Sequence, residues 1–247
     1  MVNDLFDYLR GIALGIRFRA NFSIEDQMGK IVDTILYPDD SFFTPDVFPK
    51  LITPGIGNRI LHNENTQDRI RIDNSNIVLE INFGENQKFQ VVDLDNILEK
   101  FEDQIIKRVM KDFSIKEILR IGYIRRYIFT DKKLADNFVS KTIGYTLEGI
   151  NDINLNFSRK IPILASIVNK DVNDYDNAIF NVIKRADKEE IFISLDYQSY
   201  FDPFLPQYSN IKFQPFIKTA TDFNNKKFLE WLNSNYVEEK NEKKDFS

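Results

Sequence analysis

Lys88-Phe89-Gln90 and Lys212-Phe213-Gln214 stand about half a chain apart. Each follows two strand-like runs separated by a turn, and each precedes an aspartate, Asp93 or Asp222, that opens an amphipathic run. Repetition at this scale constrains a fold more than local propensity does, because a repeated unit buries its apolar face against its neighbour. The shared order of strand, hairpin, strand and helix carries this argument further than three shared letters. The expected fold class is α+β, with mainly antiparallel sheets, packed helices and an internal duplication of that unit. Residues 1–144 form the expected first half and 145–236 a second, similar half sharing a core or interface. The charged segment 237–247 has little to bury and is expected to be a flexible tail. The two sheets either join into one or pack around a pseudo-two-fold axis.

With 247 residues, 43% of them hydrophobic, and 22 Phe, the chain can bury a substantial core. A net charge of -5 argues against a general nucleic-acid coat and leaves room for a local basic groove. The lack of cysteine removes disulfides, thiolate nucleophiles and cysteine-ligated metals. Acids at Asp4 and Asp7 and the lack of an apolar run after them argue against a signal peptide. No apolar run approaches the roughly 20 residues that span a bilayer. The expected setting is cytoplasmic, without a membrane.

Period-two alternation predicts a strand over Gly11–Arg19, with Ile12, Leu14, Ile16 and Phe18 on its buried side. Ser23 with Asp26 resembles a capping box for a helix that Pro38 stops. Residues Ser41–Asn65 read as an irregular segment rich in proline and glycine. Arg69–Asp73 and Ile77–Phe83 read as a hairpin turning at Asn74-Ser75-Asn76, where asparagine tolerates positive φ. Lys88–Val92 reads as a third strand and Asp93 as the cap of the next helix. Glu117–Thr130 is apolar on both sides in part, as a central strand should be. In the second half, Ile153, Leu155 and Phe157 alternate in a strand. Ala178–Arg185 and Glu190–Tyr197 form a hairpin, Ile211–Gln214 reads as a strand, and Thr221 or Asp222 caps the last helix. Leu134–Ile143 reads as a short helix.

Motifs for chemistry are sparse. His62 is the single histidine and has no recognisable partner for covalent catalysis. Pro54-Gly55-Ile56-Gly57-Asn58-Arg59 lacks the strand–turn–helix context of a phosphate-binding loop. Asp73, Glu80, Asp93, Asp95, Glu99 and Asp196 are the acids that would serve a magnesium-dependent hydrolase. Glu80-Ile81-Asn82 has asparagine where a nuclease strand carries lysine.

The arginines form a clearer pattern. Arg17 and Arg19 lie on the less apolar side of the first strand, and Arg69 and Arg71 on the polar side of the hairpin. Arg120, Arg125 and Arg126 share the long strand with Tyr123 and Tyr127. If these strands are neighbours, one surface interleaves arginine with tyrosine, a composition suited to phosphate, single-stranded nucleic acid or a protein partner. The run Arg120-Ile121-Gly122-Tyr123-Ile124-Arg125-Arg126-Tyr127 resembles a Gly-x-Arg-Tyr-rich strand in a sporadically distributed family of uncharacterised bacterial proteins of similar length and two-part layout. That resemblance supplies no catalytic residue or cofactor. The first functional expectation is a non-enzymatic binding or scaffold subunit of a bacterial multi-protein complex, of the kind found in phage defence, with a protein partner or a second copy. The alternatives are a nucleic-acid or nucleotide binder using the arginine/tyrosine face and a magnesium-dependent hydrolase.

Overall fold

The computed structural model describes residues 5–55, 57–84, 91–130, 152–163, 173–184, 190–206, 211 and 213–230. Nine strands follow one another along the chain: β1 (Leu9–Phe18), β2 (Lys50–Gly55), β3 (Asn58–His62), β4 (Arg69–Ile72), β5 (Asn76–Asn82), β6 (Ile118–Phe129), β7 (Ile153–Pro162), β8 (Tyr175–Lys184) and β9 (Ile191–Leu205). They form one continuous antiparallel sheet in the order β2-β3-β4-β5-β1-β6-β9-β8-β7. With only a few helices the fold is mostly sheet, and of the two arrangements expected for the halves the continuous one is observed. The expected boundary near 144 and the helix expected over 134–143 lie outside the described residues.

β1 and β6 pair at the centre, and each also pairs with the last strand of the meander that follows it, β5 or β9. Alternation sets the two faces. Ile12, Leu14 and Ile16 lie opposite Ile81, Leu79 and Ile77 on one side and Arg125, Tyr123 and Ile121 on the other. These apolar residues join a single core with Met28, Ile31 and Ile35, with Leu94, Leu98, Phe101 and Ile105, and with Phe213, Phe216, Ile217 and Phe228. The helices that supply them are α1 (Ser23–Asp26) with α2 (Met28–Leu36), α3 (Val91–Lys100) with α4 (Arg108–Asp112), and α5 (Phe213–Phe223). A π-helical turn, Phe101–Lys107, joins α3 to α4, and another, Asn224–Phe228, extends α5. All described helices pack on this face, which leaves the opposite face of the sheet open. No described helix is long and apolar enough to cross a membrane.

Several expected elements change identity. Ser41–Asn65 contains the edge hairpin β2–β3. Its turn uses Gly57 at φ 71, and Pro54 lies where an outer strand needs no donor. Val91 and Val92, expected to end a strand, open α3; residues 85–90 lie outside the described set. Phe213 and Gln214, expected in a strand, begin α5, so Thr221 and Asp222 lie inside that helix rather than capping it. Buried Phe213, Phe216, Ile217 and Ala220 supply the helical period. Ser23 does not cap its helix. Instead Asn21 Oδ1 accepts from the Ser23 amide at 3.1 Å and hydroxyl at 2.7 Å. The β4–β5 turn needs no positive φ, because Asp73 Oδ1 accepts from the Ser75 amide at 2.9 Å.

Candidate functional site

The strand register fixes which side chains share the open face. One row runs from Arg71 on β4 through Val78, Gly15, Gly122 and Gln198 to Asn177 and Lys160 on β7. The row beside it holds Asn76, Arg17, Arg120, Tyr200 and Tyr175. On the other side lie Arg69, Glu80, Ala13, Ile124 and Asp196. The middle strands carry little here: β1 presents Gly11, Ala13 and Gly15, and Gly122 of β6 lies directly opposite Gly15. The result is a cleft of about 140 Å³ lined by strand residues, among them Arg17, Arg71, Glu80, Arg120, Asp196 and Gln198.

This face is basic in an acidic chain. By register it carries Lys50, Arg69, Arg71, Arg17, Arg120, Arg126 and Lys160, against Glu80 and Asp196, and Lys50 is paired with Glu64 of the loop after β3. Arg17 and Arg120 are cross-strand neighbours, an arrangement that costs stability for like charges. Among the described residues Arg17, Arg69 and Arg71 have no ion-pair partner, and all three are exposed. Glu80 reaches over the small residues of β1 towards Arg126 on the far side, at 3.7 Å.

A hydrogen-bond chain crosses the cleft. Arg120 Nη1 donates to Tyr200 Oη at 3.0 Å and to Gln198 Oε1 at 3.2 Å, and Tyr200 donates to Gln198 Oε1 at 2.6 Å. Gln198 Nε2 in turn donates to Asp196 Oδ2. Asp196 Oδ1 is buried without a hydrogen-bond partner among the described residues. Burial raises the Asp196 pKa above the ordinary aspartate value, while the Gln198 hydrogen bond and the Arg120 charge pull it down. The cleft thus sets cations at one side and a largely buried carboxylate at the other.

Aromatic rings hold the cations in place. Tyr175 and Tyr200 stack at 4.8 Å, Lys160 Nζ sits 3.8 Å from the Tyr175 ring centroid, and the Arg120 guanidinium lies 5.6 Å from that of Tyr200. The sequence-based face therefore needs correcting. Arg17, Arg69, Arg71, Arg120 and Arg126 do share a surface. Tyr123, Arg125 and Tyr127 lie on the opposite, helix-covered face, because odd spacing along β6 separates them from Arg120 and Arg126. Arg19 falls beyond the end of β1 and pairs with Glu117 at 3.1 Å. The tyrosines on the arginine face are Tyr175 and Tyr200, which with Lys160 and Gln198 lie outside the set expected from sequence. Their signal was the alternation of Asp196, Gln198 and Tyr200.

The acids considered for metal chemistry are dispersed. Asp73 holds a turn, Glu80 faces Arg126, and Asp95 and Glu99 belong to α3 on the other side of the sheet. The Asp93 side chain lies outside the described residues. No group of three metal-ligating side chains occurs among the described residues. His62 is buried on β3, its Nδ1 3.2 Å from the Asp68 carbonyl oxygen. No protein-family model matches the chain, and no curated protein is significantly similar to it.

Proposed function

We propose that this chain is a non-enzymatic binding protein that lays a single-stranded nucleic acid across the open face of its sheet. The observation that carries the reading is the cationic path from Arg71 through Arg17 and Arg120 to Lys160, none of which forms an ion pair among the described residues. These residues span seven neighbouring strands, β4 to β7 in sheet order, a reach of about 29 Å at the usual strand spacing. That suits an extended polyanion better than one phosphate group. The Asp196 carboxylate at the cleft favours a hydrogen-bond donor, which a base amino group supplies and a phosphate does not.

The test is fluorescence anisotropy of a labelled oligodeoxycytidylate across a salt series. About four phosphate contacts give a slope of log affinity against log salt near -3, at about -0.7 per contact. The double substitution Arg17→Gln with Arg71→Gln should reduce that slope by about 1.4. Absence of binding at low salt, or an unchanged slope in the double variant, would sink the reading.

The same proposal takes the chain as an internal duplication. It is supported by two meanders, β1–β5 and β6–β9, whose first strands meet at Gly15 and Gly122; because β6 lies within residues 1–144, the meanders divide ahead of Ile118 rather than at 144. A protein-partner reading is favoured by one further feature. Edge strand β7 is ten residues long and largely exposed, a form that invites strand addition by a partner or a second copy. Native mass spectrometry of the protein with Ser158→Pro tests it, since loss of a partner's mass in that variant is the required result.

A further inference from the structure

Arg125 is a buried cation without an anion among the described residues. It lies on the helix-covered face of β6, only 7% exposed. Its Nε donates to Tyr123 Oη, its Nη1 to Asn225 Oδ1 and its Nη2 to Thr221 Oγ1, each at 3.3 Å. All three acceptors are neutral, and the distances are long beside the roughly 2.7–2.9 Å of charge-assisted bonds. No described carboxylate lies within ion-pairing distance of it. Buried charges are ordinarily paired, because the desolvation cost is otherwise unmet. Burial works against the Arg125 charge, yet its surroundings, Tyr123 and Tyr127 first, raise the pKa, so the guanidinium stays protonated.

This guanidinium lines a cavity of about 1020 Å³ that also takes residues from α3 and α5. Phe6 and Pro215 give it apolar surface that stays accessible, whereas Leu94 of α3 and Ile217 of α5 are buried. Asp95, Glu99 and Asp222 also line the cavity; all three are exposed, as is Lys218. A fork of N–H donors beside an apolar wall selects a planar monoanion with an apolar body. Acids around the opening disfavour a polyanion.

We infer that this cavity is a second binding site, separate from the open face, that takes a small organic monocarboxylate with its carboxylate on Arg125 and its apolar chain against Phe6 and Pro215. The experiment is calorimetric titration of the whole chain with octanoate, with inorganic phosphate as the control anion. Octanoate is expected to bind with one site per chain and to raise the unfolding temperature. Arg125→Lys, which keeps the charge and loses the fork, should weaken binding about tenfold. Arg125→Met removes the charge and should abolish binding. Asn225→Trp changes an exposed residue at the cavity and should weaken binding at least tenfold in a folded protein. The double substitution Arg17→Gln with Arg71→Gln should leave octanoate binding unchanged. No heat with octanoate, undiminished binding in folded Arg125→Met or Asn225→Trp, or heat from phosphate alone would each overturn the assignment.

Discussion

The three glycines of the central strands separate packing from ligand recognition, and alanine at each makes a sharp test. A Cβ at Gly122 would lie 3.6 Å from Gln198 Cγ and 3.8 Å from Asp196 Oδ1, ordinary contact distances. A Cβ at Gly11 would lie 2.9 Å from the Ile81 carbonyl oxygen, and one at Gly15 would lie 2.9 Å from Val78 Cγ2 and 3.2 Å from the Ile77 carbonyl oxygen. Alanine in place of a strand glycine gains about 0.5–1 kcal/mol from reduced unfolded-chain entropy. Gly122→Ala should keep that gain. At Gly11 and Gly15 overpacking costs about 1–3 kcal/mol, so those variants should lose about 0.5–2 kcal/mol net. For a chain of this size each kcal/mol moves the melting temperature by roughly 2–4 °C. Urea unfolding followed by circular dichroism measures all three, with an unchanged slope against urea as the check that only stability has moved. The second readout is oligodeoxycytidylate binding, which Gly122→Ala should weaken because its methyl group enters the cleft. If Gly122→Ala destabilises as much as Gly11→Ala, the cleft is not open at that point and the geometry of the site fails with it.

Asp196→Asn should stabilise the protein at neutral pH. The folded-state pKa of Asp196 is raised, so the folded chain holds this proton more tightly than the unfolded chain, and its carboxylate costs stability above the raised pKa. The advantage of the variant should shrink as pH falls through that raised value towards the unfolded value of 3.8; an advantage that does not vary with pH would refute the burial argument. In binding, wild type should prefer oligodeoxycytidylate to oligothymidylate by about tenfold, or ~1.4 kcal/mol, through the cytosine amino group, and Asp196→Asn should erase that preference in the same anisotropy assay. Phe228→Ala should cost about 3–5 kcal/mol, because the ring is fully buried and lies 5.8 Å from Tyr127 and 6.3 Å from Phe180; a loss under about 1 kcal/mol by urea unfolding would contradict that packing.

Alternation made the central strands legible. Ile12, Leu14, Ile16 and Phe18 could face only one way, and the Arg69–Phe83 hairpin announced itself by its turn residues. The edge hairpin β2–β3 was hidden because Pro49, Pro54 and two glycines look like a loop in isolation, whereas an outer strand tolerates them. The start of α5 was hidden for another reason: Phe213 and Phe216 lie ahead of the polar residues that resemble a cap. On β6 the arginines were visible but their faces were not. Arg125 and Arg126 are adjacent in sequence, and a period of two sends one into the core and the other to the open face. The partners of Arg120 come from β9, nearly eighty positions later, and cross-strand register of that range has no local signature.

The open-face cleft collects several features that a chain selected for stability alone would discard. Glycines face each other across the two central strands, where alanine at Gly122 would fit and cost nothing in packing. Arg17 stands directly opposite Arg120 with no carboxylate between them, against the rule that like cross-strand charges destabilise. Asp196 keeps a buried oxygen without a partner among the described residues, a loss of about 1–3 kcal/mol wherever it occurs in a folded interior. Each alone is an ordinary imperfection. Their meeting within one cleft of about 140 Å³ is what the proposed ligand would answer: an anion brought to the arginines would remove the second cost, and its bulk would fill the space left by the first. Departures from local consistency concentrate where binding supplies the compensation.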